Sequence, residues 1–98
     1  MTLCKLTIDK SRRGWSYQSE VKYDDWPNWV NTSGGSPTLA GVLLDVIGHK
    51  GLRDAKIVSI AVKGKPMTNA EALDRIVKNL RGTGSDYSIP QYEDILSR

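Results

Sequence analysis

The side chains best able to do covalent or acid–base chemistry are few: one histidine, one cysteine and eleven carboxylates. His49 stands in a Gly-His-Lys-Gly turn after a helical stretch, where a helix dipole favours a cation and no nucleophile is fixed beside it by spacing. It reads as part of a helix C-terminus. Cys4 alternates with Leu6 and Ile8, and a thiol among aliphatic neighbours is a small hydrophobe whose pKa rises, the reverse of what a nucleophile needs. Asp24-Asp25 and Glu93-Asp94 are sequence neighbours that point apart and suit turns and helix starts better than a shared proton. A single cysteine allows no internal disulfide and leaves a Cys-based zinc site short of ligands. Gly34-Gly35-Ser36 could offer backbone N–H groups to an anion, but no lysine follows where a phosphate loop needs one, and Ser36 is accounted for as a helix cap. The expectation is a protein that is not an enzyme and has no catalytic residue, metal site or cofactor.

Binding chemistry has better material. Lys10, Arg12 and Arg13 crowd a turn beside Trp15, and a basic finger next to an aromatic ring can hold phosphates while a base stacks. Lys50-Gly51-Leu52-Arg53 and Lys63-Gly64-Lys65 are two further basic turns, and Lys56 follows the first of them. Lys and Arg at hairpin tips also serve simply to keep sheet edges soluble. Trp26-Pro27-Asn28-Trp29 puts two indoles in a proline-stiffened polar loop, which offers large rigid contact area at small ordering cost. The competing fate is a satellite core under the loop, and at least one of the two rings is expected to be mostly buried.

These residues must be placed by a small scaffold. Residues 3–9 put Cys4, Leu6 and Ile8 on one side and Lys5 and Thr7 on the other; residues 15–23 alternate Trp15, Tyr17, Val21 and Tyr23 against Ser16, Gln18, Glu20 and Lys22. Both are period-two strands, joined by a five-residue loop, residues 10–14, that ends in Gly14. Residues 24–35 are rich in Asp, Asn, Pro, Ser and Gly and read as a loop with two tryptophan anchors. Ser36-Pro37 then caps and starts a helix to Ile47 or Gly48, whose stripe is Leu39, Val42, Leu43, Val46 and Ile47. Residues 56–63 form a β-branched third strand, with Val58, Ile60 and Val62 on one face. Thr68 and Glu71 have capping-box spacing ahead of Leu73, Ile76, Val77 and Leu80, a second helix that Gly82 can end. Ile89, Tyr92, Ile95 and Leu96 suit a short terminal helix.

The expected architecture is one α+β domain over residues 1–98, in the order β-β-α-β-α plus the terminal helix. It has two layers: a three-stranded sheet in the order 2-1-3, with the helices on one face and the aromatic row beneath them. The third strand is expected parallel to the second, by a right-handed crossover, and so antiparallel to the first. That would bring Arg53 and Lys56 to the Lys10–Arg13 tip and send Lys63 and Lys65 to the far end.

The composition bounds the rest. Ninety-eight residues with 39% hydrophobic and 26% charged side chains describe a single globular domain with a modest core. The net charge of +3 is spread, five basic and four acidic groups in residues 1–35 and nine and seven in 36–98, without the concentration usual in dedicated nucleic-acid modules. No segment could cross a bilayer as a helix, and no secretory signal stands at the N-terminus, so a cytoplasmic location is expected. The leading expectation is a small adaptor or inhibitor that occupies a surface of a larger protein or ribonucleoprotein complex through Trp26, Trp29, Arg12 and Arg13. Small phage- and mobile-element-encoded domains often act so, an analogy of size alone. The alternative is a nucleic-acid-binding module using Lys10, Arg12, Arg13, Trp15, Arg53 and Lys56. A third expectation is self-association through a free edge of the second strand.

Overall fold

A computed structural model describes residues 1–49 and 52–98. The chain forms β1 (Leu3–Ser11), β2 (Gly14–Lys22), β3 (Val30–Ser36), α1 (Leu39–Ile47), β4 (Lys56–Val62), β5 (Lys65–Met67), α2 (Asn69–Gly82) and, after a 3-10 turn at Asp86–Ser88, α3 (Ile89–Leu96). It is an α+β domain with one mixed sheet in the order β3-β2-β1-β4-β5. The sheet therefore has five strands instead of three, and its order differs from the expected one: β3 and β5 flank the strands read from the sequence.

The helices lie on one face. Cys4, Leu6 and Ile8 of β1, Val21 of β2, and Ile57 and Ile60 of β4 are buried against Val42, Leu43, Val46 and Ile47 of α1, Ala72, Ile76 and Leu80 of α2, and Tyr92, Ile95 and Leu96 of α3. At ~25 cal/mol per Å² this shared apolar burial is what holds the domain together. Lys5, Thr7 and Asp9 on the other side of β1 are exposed, as are Gln18 and Glu20 of β2. Two of the three rings of the aromatic row go under the helices: Trp15 and Tyr17 pack on the core, while Tyr23 is exposed.

The main correction is β3. Its sequence, Val-Asn-Thr-Ser-Gly-Gly-Ser, has little strand propensity of its own and every residue but the last is exposed. Pairing makes it a strand: Trp15 through Val21 bind Ser36 through Val30, antiparallel, residue for residue. β3 thus reverses the chain once more before α1, and the crossover through α1 returns β4 parallel to β1, with Leu3 opposite Lys56 and Ile8 opposite Val62. β4 is therefore antiparallel in direction to β2, against expectation.

Smaller corrections have local causes. The β1–β2 hairpin closes on Ser11 opposite Gly14, so the loop is the two residues Arg12 and Arg13. Gly14 has φ +149°, and a Cβ there would lie 2.5 Å from the Ser36 carbonyl oxygen, so only glycine lets β3 come this close. The α1 cap is Thr38, whose hydroxyl accepts from the Gly41 N–H at 2.9 Å, and Ser36 remains in β3. An irregularity opposite Cys4 and Lys5 shifts the phase of β4, so that Ile57 and Ile60 face the core and Val58 is exposed. Lys63 (φ 53°) and Gly64 (φ 77°) make the β4–β5 turn, both left-handed as a two-residue hairpin prefers. The Thr68–Glu71 capping box is present, the Thr68 hydroxyl accepting from the Glu71 N–H at 3.1 Å and the Thr68 N–H donating to Glu71 Oε1 at 3.3 Å. Gly82 stays helical, and the left-handed residue after α2 is Gly84.

Candidate functional site

β2 has two ends about 26 Å apart at ~3.3 Å per residue, and each gathers a different set of side chains. The first is aromatic. Beyond Lys22 the chain leaves the sheet through the tryptophan loop and re-enters at Val30, opposite Val21. The Trp26 N–H donates to the Tyr23 carbonyl at 3.1 Å, and the Lys22 amine donates to the carbonyls of Tyr23, at 3.1 Å, and Trp26. The N-terminal ammonium pairs with Asp24. With its backbone tied down, the loop presents Trp26 56% exposed and Trp29 38% exposed, beside Tyr23 and Val30 at 38% and 39%. Less than half of the Trp29 surface is left in water and more than half of Trp26, so the expectation that at least one of the two indoles is mostly covered fits Trp29 and not Trp26. The Lys5 amine lies 4.6 Å from the Trp29 ring centroid, over its face, a contact that orients the ring in water.

The second end is basic, and the direction of β4 decides its membership. Because β4 runs parallel to β1, its C-terminal end, not its N-terminal end, meets the Lys10–Arg13 tip. Lys63 and Lys65 therefore join Lys10, Arg12, Arg13 and Trp15, and the Lys63 N–H donates to the Ile8 carbonyl at 2.9 Å. Arg53 and Lys56 go to the opposite end: Lys56 pairs with Leu3, and its N–H donates to the Thr2 carbonyl at 2.8 Å. There Arg98 closes the chain, its guanidinium donating to the Arg53 and Ala55 carbonyls and pairing with Asp94. The Lys50 part of the first basic turn lies outside the described residues.

Trp15 is half-buried and holds two amines, Lys10 at 4.6 Å and Lys63 at 5.7 Å from its ring centroid. Lys63 keeps its place at positive φ, a conformation that costs a non-glycine residue about 1–2 kcal/mol. Beside Trp15 an open groove of about 630 Å³ runs past Lys63, Lys65 and Met67 to Glu71 and Arg75 of α2. The sequence named the tip but not Lys63 and Lys65 as its companions. No local signal in residues 30–36 gives this away, because their pairing with β2 is what sets the direction of everything after it.

Cys4, Gly34, Gly35 and His49 each have a structural place. Cys4 is fully buried, and burial pushes its thiol up to about 11. Gly34 and Gly35 are strand residues, so no anion cradle precedes α1. His49 follows the end of α1, its N–H donating to the Val46 carbonyl at 3.2 Å, and it lines a cavity of about 220 Å³ with Tyr17, Thr32 and Asp45. Among the described residues no three His, Cys, Asp or Glu side chains come together as a metal site, and no helix is long and apolar enough to cross a membrane. The two sets of contacts expected to act together, Trp26/Trp29 and Arg12/Arg13, sit at opposite ends of β2. Compared with protein-family models, with curated proteins and with solved structures, the chain shows no significant match to any of them.

Proposed function

We propose that this protein acts by docking, as a non-enzymatic adaptor or inhibitor that covers a surface on a larger protein or ribonucleoprotein complex, with the aromatic end as its anchor. The observation that carries the reading is the joint exposure of Trp26, Trp29, Tyr23 and Val30 on a loop whose backbone is held by Lys22. Exposed rings grouped on a small domain mark contact sites, and rigid rings give contact energy at little ordering cost. The test is crosslinking and affinity capture in the native host, with the bound protein identified by mass spectrometry. Trp26→Ala and Trp29→Ala are expected to abolish capture and leave the thermal transition in place. Capture that survives both substitutions defeats the reading.

A second reading rests on a separate observation, the convergence of Lys10, Arg12, Arg13, Lys63 and Lys65 around Trp15. Such a cluster suits a single-stranded nucleic acid, phosphates on the cations and a base on the ring once a lysine swings aside. If those five cations each neutralise a phosphate, log K falls against log salt with a slope of about −3.5. Binding to an oligonucleotide that is flat with salt, or indifferent to Arg12→Glu with Arg13→Glu, removes this reading.

A further inference from the structure

We propose that β3 is a pairing edge for a second copy of this chain, the two β3 strands running antiparallel about a two-fold axis at Ser33. The two edges of the sheet differ. β5 is three residues long and carries Lys65 and Pro66, and a charge with a proline on so short an edge blunts the addition of another strand. β3 runs for seven residues, Val30–Ser36, with no charged residue and no proline. It ends the sheet, bonded to β2 on one side only, so the backbone donors and acceptors of its outer side are a template for strand addition.

The residues of β3 say which strand fits. On the helix-side face Val30, Thr32, Gly34 and Ser36 lie opposite Val21, Ser19, Tyr17 and Trp15. The Tyr17 ring lies over Gly34, so close that a Cβ there would be 2.8 Å from the tyrosine hydroxyl oxygen. The C-terminal half of β3 thus leaves the Tyr17 ring reachable from the edge, and the N-terminal half carries exposed Val30 and Thr32. Antiparallel pairing centred on Ser33 puts Val30 of each copy opposite Ser36 of the other, and Thr32 opposite Gly34. Val30 and Thr32 of each copy then pack toward the Tyr17 ring of its neighbour. On the other face Asn31 meets Gly35 and Ser33 meets Ser33, so two chains of net charge +3 pair here without opposed like charges. The same register carries the Trp26–Trp29 loop of one copy toward the Arg12–Arg13 turn of the other, because the loop precedes Val30 and the turn adjoins Trp15, the partner of Ser36. Guanidinium groups and indole faces attract. One strand sequence supplies both halves of the fit, which makes a second copy the occupant.

A pairing of this length covers less than the roughly 1,200 Å² of a standard interface, so the dimer depends on concentration. Sedimentation equilibrium of the full chain from micromolar to millimolar concentration is expected to show the mass rising from 10.9 kDa toward twice that value. Ser33→Lys, which sets two ammonium groups face to face on the axis, is expected to hold the mass at 10.9 kDa throughout and leave the thermal transition of the dilute chain unchanged. Asn31→Lys, beside Glu20 within the chain, is expected to weaken the association in the same sense and carries the reading if Ser33→Lys folds poorly. A wild-type chain that stays at 10.9 kDa to millimolar concentration overturns the proposal, whether or not β3 then takes a strand from another protein. So does a rise in mass that both lysine variants leave undiminished.

Discussion

The two ends of β2 carry tryptophans in opposite states. Trp15 sits on a paired strand facing the helices, packed on the core with Lys10 and Lys63 over its ring. Trp26 and Trp29 stand beyond the last residue of β2, 56% and 38% exposed, with the Lys5 amine over the Trp29 ring. Residue type is the same and position relative to the sheet and its helical layer decides how much of each ring is covered. Buried indole area is spent on stability, whereas exposed indole area is retained against solvent and is available for a partner.

That contrast can be broken most directly by stability. Trp15→Ala is expected to cost about 3 kcal/mol, the lower end of the range for removing a large ring from a core, and Trp26→Ala is expected to stay within about 0.5 kcal/mol of the wild type. Thermal denaturation of the two variants side by side checks this, and equal losses would erase the difference between the ends.

Cys4 sharpens it, because this thiol lies beneath the aromatic end, opposite Val21. Its pKa rises from the ordinary 9.0 to about 11 on folding, so the folded state holds the proton more tightly. The stabilisation is fully present below pH 9 and is lost as pH rises from about 9 to 11, by about 2–3 kcal/mol in all. Denaturant titration across that range is expected to show the decline, and Cys4→Ser is expected to lack it. At pH 8 alkylation of Cys4 is expected only after unfolding. It is expected to remain blocked in Trp26→Ala, since that ring does not cover the core.

At the basic end Gly14→Ala is expected to cost about 2 kcal/mol, from strain at positive φ and the collision with Ser36; the matching Gly82→Ala, with open space around its Cβ, is expected to be neutral or mildly stabilising. The smallest effect is at Lys63. Asparagine tolerates the left-handed conformation, so Lys63→Asn is expected to change stability by less than about 0.5 kcal/mol while weakening any polyanion binding. A loss of stability there would mean that the Lys63–Trp15 contact serves the fold.

Much of the scaffold was legible from side-chain pattern. The alternation through Cys4, Leu6 and Ile8, the α1 stripe from Leu39 to Ile47 and the Thr68–Glu71 box each encode their element locally, because apolar periodicity and end capping are properties of a few adjacent residues. The terminal stripe of Ile89, Tyr92, Ile95 and Leu96 is of the same kind. β3 was not legible, since Asn31 to Ser36 have the composition of a loop and become a strand only by completing β2. The candidate surfaces followed suit. Lys10, Arg12, Arg13 and Trp15 are gathered by one hairpin and could be grouped from sequence; Lys63 and Lys65 could not, because their arrival depends on the direction of β4.

The sequence by itself determined which residues are apolar on one side of β1 and of the helices, and that Thr68 caps α2. Tertiary structure alone decided that residues 30–36 are a strand, that β4 runs with β1, and that Trp26 stays largely in water. The reason is physical. A side chain's preference is fixed by its own chemistry, but a backbone hydrogen bond belongs to two segments at once, and β3 exists because β2 had an edge left to fill.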